Sequence, residues 1–78
     1  MRNKGLKKYI VSTDGIRDSI TADTAANWLL QGVKNCRGDI DITWRYNEKL
    51  EKIFFETTDK DSVPLITRIV VQINSLIS

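Results

Sequence analysis

The residues able to do chemistry are few, and the commonest of them is missing. The 78-residue chain contains no histidine, so it lacks both the usual general base near neutral pH and the usual activator of a serine or cysteine nucleophile. Cys36 is the one thiol. It sits in Lys34-Asn35-Cys36-Arg37, where flanking cations favour the thiolate, although a half-buried small residue at a helix exit is the simpler reading. Asp39 and Asp41 are two apart, so on a strand they would share a side and offer oxygens to a divalent cation. Such ions want several oxygen ligands, and no third carboxylate is fixed nearby. Arg45, Tyr46 and Lys52 could supply acid–base groups without histidine, but their spacing is diagnostic of no reaction. The four glycines, at 5, 15, 32 and 38, are too dispersed for a phosphate-cradling loop. These absences point away from an enzyme and toward a chain with no catalytic residues, cofactor or metal.

The aromatic residues are more informative. Phe54 and Phe55 are adjacent, and on a strand they must face opposite sides. With Ile53 and Phe55 in a core, Phe54 falls with Thr43, Arg45, Lys52 and Glu56 on the other side. A phenylalanine beside arginine and lysine suits base stacking or a protein hot spot, unless the long neighbouring side chains shield it. Charge adds to the first alternative. The formal net charge is +2, but Arg2, Lys4, Lys7 and Lys8 place four of the twelve cations in the first eight positions. Against ten acids, the remainder carries eight. A basic arm over 1–7, leading a slightly acidic body at 8–78, could meet phosphate by releasing counterions. The residues expected to touch nucleic acid are therefore Arg2, Lys4, Lys7, Lys8, Arg45, Lys52 and Phe54. Asp39, Asp41, Glu48, Glu51 and Glu56 surround that platform and weaken the case.

These side chains need elements to hold them. Lys8 to Thr13 is rich in β-branched and aromatic residues and closes on Asp14-Gly15, which reads as a strand followed by a turn. A loop is expected over 14–20, with Thr21 capping a helix. Over 22–34, Ala22, Ala25, Ala26, Leu29, Leu30 and Val33 gather on one side of a helical wheel, with Trp28 at the edge of the stripe and the exit near Asn35 and Gly38. Ile40, Ile42, Trp44 and Tyr46 then alternate with polar residues. This predicts a strand joined through 47–50 to a second strand over 52–57. Val63 to Ile77 is rich in β-branched residues, yet only Val71 is misplaced on a helical wheel, so a helix is predicted, capped by Asp61 or Ser62 with Pro64 in its first turn. The fold expected is a two-layer α+β domain of order β-α-β-β-α, with a three-stranded antiparallel or mixed sheet and two helices on one face. The partner of the first strand stays open.

A core of this size supplies about 3–5 kcal/mol of net stability, and a lone cysteine allows no internal disulfide. The last segment carries a single charge, Arg68. Trp28, Val71, Leu76 and Ile77 are accordingly the expected surface for a protein partner or a second copy. No apolar run exceeds three residues, so neither a secretory leader nor a membrane span is expected, and the unpaired thiol suits the cytoplasm. The preferred reading is a small regulatory or inhibitory protein-binding module, and nucleic-acid binding is the alternative.

Overall fold

The computed structural model describes residues 7–77. Arg2 and Lys4, and with them most of the expected basic arm, lie outside that range. The elements run β1 (Tyr9–Ser12), α1 (Ser19–Arg37), β2 (Ile42–Asn47), β3 (Lys52–Thr57), a 3-10 turn (Lys60–Ser62) and α2 (Val63–Ile77). The order is the expected β-α-β-β-α, and the last segment is a helix.

The sheet is wholly antiparallel with strand order β1-β3-β2, so β3 is central and the first strand pairs with the second arm of the hairpin. The register aligns Val11, Phe55 and Trp44 in one row and Ser12, Phe54 and Arg45 in the next. Along β3, Ile53, Phe55 and Thr57 are buried while Lys52, Phe54 and Glu56 are half-buried, which is the period-two signature of one packed side. Ile53 and Phe55 join Ala22, Ala26, Leu29 and Val33 of α1 and Ile66, Val70 and Ile73 of α2 in one core. The helices touch where Gly32 faces Ile69: a Cβ at Gly32 would stand 3.2 Å from the Ile69 Cδ1 atom. A glycine costly to helix propensity is thus placed where two helices approach closely.

Several expected boundaries are corrected. Helix α1 starts at Ser19, not after Thr21, because the Asp18 carboxylate accepts the Thr21 N–H at 2.7 Å and makes Asp18 the N-cap. That bond also holds the Asp18 carboxyl below its ordinary pKa. At the other end α1 runs on through Asn35 and Cys36 to Arg37. Gly38 (φ 79°) ends it by returning its N–H to the Lys34 carbonyl at 2.8 Å, a left-handed exit that suits glycine. Cys36 is therefore an exposed residue of the last turn. Strand β2 begins at Ile42, so Asp39 and Asp41 precede it. The 3-10 turn that leads into α2 is capped at Asp59, ahead of the Asp61 and Ser62 expected at the helix start. The Asp59 carboxylate accepts the Ser62 hydroxyl at 2.6 Å and Arg37 at 3.3 Å, which lowers its pKa, the Ser62 bond most of all.

Polar pins fix the other end of the sheet. Thr13 is fully buried; its N–H donates to the Ile53 carbonyl and its hydroxyl accepts the Ile53 N–H, each at 3.0 Å. A side chain thus replaces a backbone carbonyl as the chain turns off the ladder. Nearby, the Tyr46 hydroxyl donates to the Ile16 carbonyl at 2.6 Å, and the Ile16 N–H donates to the Glu51 carbonyl at 2.9 Å. The hairpin loop that carries Glu51 is held in part by the Asn47 side chain, which accepts the Leu50 N–H. Glu51 itself takes φ 56°, unusual for a residue with a Cβ.

Candidate protein-binding groove

Residues four apart on a helix stack along one side, and on α1 this row is Ile20, Thr24 and Trp28. Its neighbour across a shallow groove is the end of α2, Leu76 and Ile77. Buried Ala25 and Ile73 also line the depression, which measures about 320 Å³ and has no charged residue in its lining. The large side chains along it are unusually open: Ile20 is 78%, Trp28 47% and Leu76 74% exposed. At the N-terminal end of α1 the groove continues into a polar depression shared with Asp14, Arg17, Asp18 and Asn74.

The sequence brings three of its four expected interface residues here. Trp28, Leu76 and Ile77 line the groove, whereas Val71, 60% exposed, lies outside it. The packed stripe of the last helix narrows at its end, where Ile77 is only half-buried. Ile20 is the residue sequence reasoning missed, since 14–20 read as a loop. Two signals mark it: Asp18 is a favoured cap for a helix beginning at the next residue, and stepping back by fours from Trp28 meets Thr24 and then Ile20.

The expected nucleic-acid platform is assembled differently. Register places Phe54 beside Arg45, with Lys52, Thr43 and Glu56 on the same side of the sheet. The Arg45 guanidinium carbon lies 5.9 Å from the centre of the Phe54 ring, within reach of a cation–π contact. Each cation on this side also has a carboxylate. Glu56 is 3.8 Å from Lys8 and 4.0 Å from Arg45, and Lys52 pairs with Asp14. Lys7 lies 5.6 Å from the centre of the Tyr9 ring. The Asp41 carboxylate accepts the Thr58 hydroxyl at 3.2 Å. Among the described residues no three cysteine, aspartate or glutamate side chains come together as a metal site would need, and no helix is long and apolar enough to cross a membrane.

No protein-family model, curated protein or solved structure matches the chain, so the groove and the sheet face stand on their own geometry.

Proposed function

We propose that this protein is a small cytosolic regulatory or inhibitory module that binds another protein and carries out no catalysis of its own. The observation that supports it is the groove between α1 and α2, uncharged in its lining and walled by open Ile20, Trp28 and Leu76. Monomeric domains rarely leave large apolar side chains contiguous and open without a binding role. The reading takes the fold as two layers, with both helices on the side of the sheet that carries Ile53 and Phe55, so that the groove is the outer surface of the helical layer. The occupant it suits is an amphipathic helix of a partner protein, laying residues at three- and four-residue spacing between the two ridges. Its polar end would face Asp14 and Asp18.

The nucleic-acid alternative draws on Arg45 beside Phe54. It is the weaker reading because Glu56 and Asp14 already pair with the cations there. Affinity purification from the native host, with and without nuclease, separates the two. The expected partner survives nuclease and the double change Lys7→Glu with Lys8→Glu, and is lost with Leu76→Asp. Loss on nuclease treatment, or retention with Leu76→Asp, overturns the groove reading.

A further inference from the structure

The hydrogen bonds of the sheet show which backbone groups are left over. In an antiparallel sheet a residue directs its N–H and C=O to the same neighbouring strand, and the next residue directs them to the other. Both backbone groups of Ile53 turn to Thr13, its carbonyl accepting the Thr13 N–H and its N–H donating to the Thr13 hydroxyl, so Ile53, Phe55 and Thr57 turn to β1 while Lys52, Phe54 and Glu56 turn to β2. The β2 residues that answer are Asn47, Arg45 and Thr43. Asp41 continues the set, its carbonyl accepting the Thr57 hydroxyl at 2.7 Å. The N–H and C=O groups of Ile42, Trp44 and Tyr46 therefore point away from the sheet, and among the described residues no strand lies beyond β2.

We propose that β2 pairs with β2 of a second copy, antiparallel and about a two-fold axis at Thr43, joining the two three-stranded sheets into one. Charge selects the occupant and the register. Residues facing each other across such an axis lie on the same side of the joined sheet, so their numbers must add to an even total. Centred on Thr43, Arg45 stands opposite Asp41 of the partner subunit, and the pair occurs twice. Asp41 and Thr43 line one depression with Lys8 and Glu56, so Asp41 is on the same side of the sheet as Arg45. The same register sets Thr43 against Thr43 of the partner subunit and Ile42 against Trp44 of the partner subunit, both favourable cross-strand pairs.

Shifting the axis toward the end of β2 removes these gains. Centred on Trp44, Arg45 faces a threonine and Asp41 an asparagine. Centred on Arg45, two guanidinium groups meet. The opposite edge of the sheet is guarded: β1 has only four residues and follows Lys7 and Lys8, and edge lysines discourage strand addition. Arg45 is 72% exposed, and its 4.0 Å ion pair with Glu56 is long enough to leave guanidinium N–H groups for a second carboxylate.

Sedimentation equilibrium of the full chain, from low micromolar to sub-millimolar, tests the proposal without reference to the groove. A monomer–dimer equilibrium is expected. Arg45→Asp should weaken it about tenfold or more, since each like-charge pair occurs twice. Adding Asp41→Arg to that variant should restore it, and Leu76→Asp should leave it unchanged. In a Cys36→Ser background, Thr43→Cys should form an intermolecular disulfide under mild oxidation, because residues at a non-hydrogen-bonded pair stand about 4.5 Å apart at Cα; Arg45→Cys should not. A monomer at every concentration, a dimer indifferent to Arg45→Asp, or one lost with Leu76→Asp overturns the proposal. Because Leu76→Asp is also the groove variant, failure of one reading leaves the other standing.

Discussion

The helical groove and the sheet face at Phe54 both display large side chains at the surface, but they are finished differently. On the sheet face each cation has an acid within the same molecule: Glu56 between Lys8 and Arg45, and Asp14 at Lys52. In the groove nothing polar answers Ile20, Trp28 or Leu76, and no charged group lines the cleft. Exposed ion pairs contribute little to stability; their effect here is to cancel a charge that would otherwise draw polyanions. Among the described residues the apolar groove has no internal counterpart, and another molecule seated on it would remove it from water. A surface whose own neighbours satisfy it is a weak candidate for recognition, and one left unsatisfied is a strong one.

The largest test of the contrast between the two sides of β3 is Phe55→Ala. Truncating a buried phenylalanine costs about 3–5 kcal/mol, as much as a domain of this size has, so the variant should be largely unfolded by circular dichroism. Phe54→Ala, one residue along and half-buried, should cost about 1 kcal/mol in urea unfolding. Equal losses would mean that the two sides are not distinct. Next, Thr13→Val keeps the shape of a fully buried side chain but leaves the Ile53 N–H without its acceptor, an expected loss of about 1–3 kcal/mol that Thr13→Ser should largely avoid.

Smaller effects bear on the outer surfaces. Glu56→Gln should shift stability by less than about 1 kcal/mol, yet leave Lys8 and Arg45 without their shared acid and raise salt-sensitive retention on a polyanion column; unchanged retention would sink the idea that Glu56 silences this face. Leu76→Ser should stay within about 0.5 kcal/mol of the parent, as surface changes usually do, and a loss of several times that would make the groove wall part of the core. The last test is in pH. The Tyr46 hydroxyl titrates above its ordinary value of 10.0, chiefly because burial disfavours the phenolate, with Glu48, Asp18 and Glu51 adding repulsion. A raised folded pKa means that the unfolded chain releases the proton first. Its contribution is therefore present below about pH 10 and lost as pH rises past it. Tyr46→Phe should flatten that alkaline limb of a thermal-melt series.

How much of this was readable beforehand depended on the range of the interactions. The alternation from Ile40 to Tyr46 and the helical-wheel pattern of the last segment placed a strand and a helix correctly, because periodicity reflects one-sided burial directly. Opposite faces for Phe54 and Phe55 follow from the pleat alone. The start of α1 was misjudged by three residues because several polar residues there can cap a helix, and only the geometry at Asp18 chooses among them. The Asp59–Ser62–Arg37 cluster was invisible, since it joins the end of one helix to the approach of another across 22 residues. Of the groove, Trp28, Leu76 and Ile77 were expected as one surface together with Val71, but nothing local could show that Val71 lies apart and the other three line one groove.

By itself, the sequence determined the element order, the opposite facing of Phe54 and Phe55 and the absence of histidine, because short-range periodicity and residue type decide these. Tertiary structure decided the rest. It put β3 between the other two strands, brought Ile20 and Trp28 of one helix beside Leu76 of another, and supplied each sheet cation with an acid from a different segment. Those are choices of pairing, and pairing depends on which surfaces meet when the chain closes on itself.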